Sequence, residues 1–219
     1  GFVFAYMGKD KESPPPLPRY DVLVQDGYRV VERGDSDTGK AYNCNWLQGV
    51  ENTTDTTHLT YLHRIYDKCP SFKAVEGDYG VKLYILEPRA KANHVALRKR
   101  STVLPTINRK SRELRPKNPE ESQVTLQQAI WIVPIDDTHC EEMRLTVYPE
   151  KPKERRYHGA FADQAKERER KPYDRRFYGE IKGIVPLEDK AMVESQGPIV
   201  DRSLEHPGYG DRAILLLRK

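Results

Sequence analysis

The chain has 219 residues, enough for one large or two small domains with a real hydrophobic core. Its 37 Lys and Arg against 33 Asp and Glu leave a net charge of only +4, so no long-range attraction to nucleic acid or to a membrane is written into the total. Charged residues are 32% and hydrophobic ones 37%, yet thirteen Tyr, five Phe and two Trp are too many aromatics for a disordered chain, so it folds with a heavily charged exterior.

The opening run Gly1 to Met7 is apolar but far shorter than the roughly 20 residues of a membrane span, and it reads as a strand already in progress. Pro14-Pro-Pro-Leu-Pro18 follows as an extended connector that cannot join a sheet interior. Tyr28–Arg33 alternates as a strand and Gly34–Gly39 has turn chemistry. From Trp46 to His63, Trp46, Leu47, Val50, Leu59 and Leu62 recur at helical spacing, broken by the polar run 51–57, which predicts a helix interrupted in its middle. Short apolar segments at 80–86, 101–105, 127–133 and 143–148 predict an antiparallel sheet. The charged stretch 151–180 has no clear apolar stripe, Leu187–Glu194 is made of helix formers, and Asp211–Arg218 closes the chain as an apolar helix. Cys44, Cys69 and Cys140 are too few and too widely spaced for a disulfide framework or a cysteine cluster; they read as small buried residues in a reducing, cytoplasmic setting.

Asp55-x-x-His58-x-x-x-x-His63 is the sharpest local feature. Asp55 and His58, three apart, share a helix face. On a regular helix His58 and His63 point about 140° apart, so they converge only where the helix breaks or bulges. Two neutral imidazoles with one carboxylate from elsewhere form the facial triad of non-haem Fe(II) oxygenases. Two surface or core histidines have the same spacing, so spacing alone leaves the question open.

The segment Asn45-Trp-Leu-Gln-Gly-Val-Glu-Asn-Thr-Thr-Asp-Thr-Thr-His-Leu-Thr-Tyr-Leu-His63 closely resembles the iron-binding segment of Rieske non-haem iron oxygenase α subunits, in the branch of phthalate dioxygenase and the aryl O-demethylases. Phe4-Ala-Tyr-Met-Gly8 with Pro14–Pro18 resembles the segment that leaves the Rieske domain in that family. Trp131–His139 and Glu188–Arg202 resemble further family segments in the right order. By this resemblance His58 and His63 are the imidazole ligands of a mononuclear Fe(II) and Asp189 is the carboxylate ligand, with Glu188 as the adjacent alternative. Asp55 resembles the bridging carboxylate through which electrons pass from a neighbouring subunit's cluster, and a carboxylate there would also orient the His58 ring. Asn45, Trp46, Gln48, Glu51 and Asn52 are family-like neighbours, with no near-iron role assigned to Glu51 or Asn52.

The resemblance implies an α+β helix-grip (START-like) fold, a curved antiparallel sheet around a long helix, whereas composition supports only a sheet-rich α+β class. Residues 1–18 are expected to be the end of a Rieske-domain strand and its connector, and 19–219 a catalytic domain truncated at its C-terminus. The Cys-x-His and Cys-x-x-His pair that ligates a Rieske cluster does not occur, so the [2Fe-2S] cluster is expected outside this chain, which alone would be inactive. The implied function is O2-dependent hydroxylation or O-demethylation of an aromatic compound in a cytoplasmic homotrimer. A ferredoxin or an NAD(P)H-dependent reductase would supply the electrons, and no nucleic acid or membrane partner is expected. A ligand-binding helix-grip module without metal is the alternative, and it predicts that His58, His63 and Asp189 do not converge.

Residues 88–117 hold ten basic residues against Glu113 alone, expected as a solvated loop facing an anionic substrate or an acidic ferredoxin. A nucleic-acid surface would instead set these residues on one continuous face. Tyr157, His158, Tyr173, Phe177 and Tyr178 are candidate pocket aromatics, while His94, His139 and His206 have no partner legible in the sequence.

Overall fold

Alternation of apolar and polar side chains builds the sheet. In β4 (Gly80–Pro88), Val81, Leu83 and Ile85 are buried while Lys82, Tyr84 and Leu86 face solvent, the period of two expected of a strand covered on one face. The structure is a computed structural model that describes residues 5–6, 8–16, 19–20, 24, 26–33, 41–66, 68–88, 95–114, 124–149 and 185–219. The opening strand expected over 1–7 and the charged stretch 151–180, with its five candidate pocket residues, lie largely or wholly outside these residues, as does His94.

β3 (Ser71–Gly77), β4, β5 (Val95–Val103), β6 (Ile107–Leu114), β7 (Val124–Asp136) and β8 (His139–Pro149) form an antiparallel meander, each strand beside the next in sequence. β1 (Tyr28–Arg33) and the two-residue β2 (Ala41–Tyr42) both pair with β8, which closes the order β1-β8-β7-β6-β5-β4-β3. The strands expected at 28–33, 80–86, 127–133 and 143–148 are all present, and 101–105 is the end of β5 with the turn after it. β3 and β6 were not expected. In Ile107-Asn-Arg-Lys-Ser-Arg-Glu-Leu114 the inward positions Asn108 and Lys110 are polar, which hides the alternation.

That strand corrects the expectation of a solvated loop over 88–117. The described part of the stretch is the β5–β6 hairpin, and its basic side chains divide between the two sides of the sheet.

One face packs Val81, Leu83, Ile85, Ile130 and Ile132 against Cys44, Val50, Val193, Ala213 and Leu217 from the helical segments. Leu83 and Ile85 are fully buried, each worth roughly 2–3 kcal/mol of transfer free energy. The other face carries a smaller cluster of Ile107, Ala129, Trp131, Leu145 and Val147, with Tyr20 edge-on to Trp131 at 6.2 Å. Among the described residues, α1 (Trp46–Thr54), α3 (Val185–Ser195) and α4 (Arg212–Leu217) supply buried side chains to the first face, and the one-turn α2 (His58–Tyr61) follows α1 without burying any. All are short, the longest being the eleven-residue α3, and none of the described helices is long and apolar enough to cross a membrane. Arg218, just beyond α4, reaches Glu51 of α1 at 2.6 Å and Glu205 at 2.5 Å, clamping the C-terminal helix to the first. Cys44 and Cys140 are buried as expected; Cys69 is exposed, because it lies in the irregular segment before β3 rather than under the helices.

Candidate metal centre

The interruption predicted over the polar run 51–57 is present, and its cause is local. Asn45 caps α1, its side-chain oxygen accepting from the Leu47 N–H at 3.0 Å. At the other end the Thr53 and Thr54 hydroxyls both donate to the Val50 carbonyl, at 2.8 and 2.9 Å, and compete with the backbone ladder. Asp55 then leaves the helix with extended dihedrals (φ −62°, ψ 141°). It therefore meets His58 not across a helix face, as its spacing suggested, but by folding over the start of α2. Its carboxylate accepts from the Thr57 N–H at 2.8 Å, the His58 N–H at 2.9 Å and the His58 ring Nδ1 at 3.0 Å.

The one-turn helix α2 ends before His63. The His58 carbonyl accepts from both Leu62 N–H (2.8 Å) and His63 N–H (3.3 Å), the second a wider i→i+5 closure, and Arg64 follows in the left-handed region at φ 53°. This loosened turn swings His63 back toward His58, with ring centroids 5.2 Å apart and planes at 81°.

Asp189 comes from the first turns of α3, 126 residues after His63. Its Oδ1 lies 2.8 Å from His63 Nε2 and 3.7 Å from His58 Nε2, and the ligand atoms of the three residues all lie within 4.8 Å of one another. Two ligand atoms at right angles, each about 2.1 Å from a metal ion, would be about 3.0 Å apart, so small side-chain shifts suffice for a common point. Glu188 is not turned to that point. Its carboxylate meets the other nitrogen of His63, Nδ1, at 2.7 Å, with side-chain exposures of 0% for His63 and 2% for Glu188.

A carboxylate at each ring nitrogen favours the doubly protonated form of His63. Burial disfavours a charged His63, but Asp189 and Glu188 outweigh it and raise its pKa. Burial likewise opposes charge on Asp189, while the His63 hydrogen bond and the nearby His58 and Lys110 hold it below the usual carboxylate range. Asp55 shows the same balance, with His58 and two backbone N–H groups prevailing over burial. A divalent cation would take the place of the proton on His63 Nε2 and leave Nδ1–H on Glu188, the usual arrangement of a metal-bound histidine. The donor set of two imidazoles and one carboxylate fits a metal of the iron type.

The structure thus brings His58, His63 and Asp189 together and sets Asp55 behind His58. Sequence reasoning missed the orienting contact of Glu188, which it read only as an alternative ligand; its place directly before Asp189 was the available signal. Of the remaining histidines, His139 sits in the β7–β8 turn against Asp136 at 2.9 Å, and exposed His206 lines a cavity of about 700 Å³ onto which Asp55 and His58 also open.

No protein-family model matches the chain. The oxygenase subunit of tert-butanol monooxygenase / tert-amyl alcohol desaturase from Aquincola tertiaricarbonis is 25% identical over 251 aligned positions, which take in 100% of this chain and 49% of that protein. The chain therefore spans about half the length of this curated relative. Among solved structures, NdmB of Pseudomonas putida CBB5 superposes with a TM-score of 0.59 at 15% identity, over 93% of this chain and 52% of its own. Dicamba monooxygenase gives 0.58 at 17%, over 92% and 61%. The oxygenase of carbazole 1,9a-dioxygenase, solved with a ferredoxin, gives 0.56 at 18%, over 94% and 58%. At these identities the structural matches speak for the fold, an α+β domain built on one antiparallel sheet. In sequence the chain is similar to an oxygenase subunit, and in fold to oxygenases, in agreement with the resemblance of its segments to Rieske-type oxygenases.

Proposed function

We propose that the chain carries the Fe(II) centre of an oxygenase that hydroxylates or O-demethylates an aromatic compound. One observation supports this above the others: His58 Nε2, His63 Nε2 and Asp189 Oδ1 converge from two separate parts of the chain. A helix-grip module without metal predicts that these residues stay apart, so their convergence weighs for the iron reading. Bound ferrous iron would supply the O2 activation that no side chain provides.

The protein's own part is to hold and orient. His58, His63 and Asp189 bind from one side and leave the other for O2 and substrate. Asp55 fixes the His58 ring through Nδ1, and Glu188 does the same for His63. Asp55 is also the proposed electron bridge, since it joins His58 to the open 700 Å³ cavity where a donor can approach. That donor, in this reading, is a Rieske [2Fe-2S] cluster of a neighbouring subunit in a homotrimer, fed by NAD(P)H through a reductase or ferredoxin. The ferredoxin in the carbazole dioxygenase complex supports such a partner. The names of dicamba monooxygenase and carbazole dioxygenase favour an aromatic substrate, while the curated relative is named for tertiary alcohols, so an aliphatic substrate is the reading to test against it.

Anaerobic Fe(II) uptake tests the site. Wild-type protein is expected to bind iron stoichiometrically, and His63→Ala and Asp189→Asn to lose it. Equal uptake by all three would refute the assignment.

A further inference from the structure

Two of the three thiols meet in the core, on residues that the metal centre does not use. The two-residue β2 pairs with the start of β8, and there Tyr42 stands opposite Cys140. Cys44 follows two positions after Tyr42. Along Tyr42-Asn-Cys44 the side chains alternate buried, exposed, buried, so Cys44 turns to the side that Tyr42 and Cys140 share. Cys44 and Cys140 are both fully buried and belong to one apolar cluster with Val50, Ile132 and Val193. Their side chains are joined by a hydrogen bond.

The frame around the two sulfurs is fixed from both sides. The Asn43 N–H donates to Glu194 at 2.8 Å and the Lys190 ammonium to the Ala41 carbonyl at 2.6 Å, which ties the segment before Cys44 to α3. Directly after Cys44, the Asn45 N–H donates to the Pro198 carbonyl at 2.7 Å, and the Asn45 side-chain amide to the Asp137 carbonyl at 2.8 Å, in the turn that leads into Cys140. The pair is also unequal. The hydrogen bond from Cys140 holds the Cys44 thiol below its ordinary value against burial and Glu194, whereas the same bond and burial raise Cys140. Cys44 is the readier nucleophile and Cys140 the sulfur placed to resolve it.

We infer that Cys44 and Cys140 form a redox site, a dithiol that hydrogen peroxide closes into an intramolecular disulfide and that a thiol reductant reopens. In the first step the Cys44 sulfur attacks one peroxide oxygen. The S–O bond forms, the O–O bond breaks, and the departing hydroxide takes up the Cys44 thiol proton as water. In the second step the Cys140 sulfur attacks the sulfenic sulfur of Cys44; the S–S bond forms, the S–O bond breaks, and a second water leaves with the Cys140 proton. Two thiols are oxidised by two electrons in all, and one peroxide is reduced to two waters. β2 is short and Asn43 irregular, so a local opening of this segment, rather than loss of the sheet, admits the oxidant. In a reducing compartment the pair stays open, and closure records an oxidising excursion. The bond would link β8 to the start of α1, whose far end leads into Asp55 and His58. The inference does not rest on the iron reading.

Cys69 is exposed and competes for peroxide, so the full chain with Cys69→Ser is the background for the test. The protein is treated with hydrogen peroxide at neutral pH in the presence of a metal chelator, then denatured, alkylated and digested without reduction. Mass spectrometry is expected to find the peptides of Cys44 and Cys140 joined, with alkylation of the two lost in step and restored by dithiothreitol. With Cys140→Ala added, Cys44 should stop at the sulfenic acid and be trapped by dimedone. Three results would each overturn the inference: both thiols free under peroxide that fully oxidises Cys69 of the wild type, sulfinic acids at Cys44 and Cys140 with no joined peptide, or joining only when urea is present during the oxidation.

Discussion

Replacing Glu188 probes the metal centre through a residue that does not face the ligand point. Its carboxylate holds His63 Nδ1 at 2.7 Å between two fully buried side chains, so Glu188→Ala leaves a buried ring N–H with no acceptor. Such a loss costs about 1–3 kcal/mol. It also frees the ring to rotate and to carry its proton on the wrong nitrogen, and loss of an orienting partner lowers metal affinity about 10–100-fold. Glu188→Gln keeps an acceptor oxygen but loses the charge, so its affinity should lie between wild type and alanine. Competition between the protein and a chelator for Co(II), as a stand-in for Fe(II), measures the affinity, and the visible Co(II) spectrum reports ligand geometry that a general loss of stability would not alter. Wild-type affinity and spectrum in Glu188→Ala would refute the orienting role. Metal binding abolished by Glu188→Ala but kept in Asp189→Asn would show that the two carboxylates exchange parts.

Two further predictions concern the frame around the site. Gly80 opens β4 at φ +143°, and a Cβ there would stand 2.1 Å from the Thr102 carbonyl oxygen; Gly80→Ala should destabilise the fold by about 1–3 kcal/mol in urea titration, and an unchanged midpoint would contradict the geometry. Gly27→Ala, at φ +76° with no atom of the described residues within 4 Å, isolates the backbone part of that cost and should lose less. The second concerns the Arg218 clamp. The Arg218 hydrogen bond, against a smaller opposing effect of burial, holds the Glu205 carboxyl below its ordinary 4.5. A depressed carboxylate adds stability above the unfolded value and loses it as pH falls through the folded one, so the wild type should weaken below about pH 4.5. Arg218→Met should cost about 1–3 kcal/mol at pH 7 and flatten this acid limb; a melting profile with an unaltered acid limb would argue against the clamp.

Much of the site was legible because its signals are local. The Thr-Thr-Asp-Thr-Thr run foretold the break between α1 and α2, since side-chain hydroxyls and a carboxylate compete for nearby backbone groups wherever the chain goes; the turn that brings the two histidines together is the end of α2, between them. The Asp55 contact with His58 was legible too, though it arises from an extended cap rather than a helix face. The strands at 80–86 and 127–133 stood out because their buried positions are apolar, while β3 and β6 did not. On β6 the inward residues are Asn108 and Lys110, and the burial of a polar group such as Asn108 depends on a partner distant in sequence, the Thr53 carbonyl of α1.

By itself the sequence carried the family resemblance, the α+β class, the interrupted helix and, through that resemblance, the proposal that His58, His63 and Asp189 act together. Only the tertiary structure decided that Glu188 turns to His63 Nδ1 while Asp189 turns to Nε2, because neighbours on a helix project in different directions and a linear pattern does not record them. It also decided on which side of the sheet the described basic residues of the stretch 88–117 lie. Pairing register settles that, through hydrogen bonds between residues distant in sequence, and a shift of one residue would have sent Arg100 and Lys110 to the opposite side of the sheet.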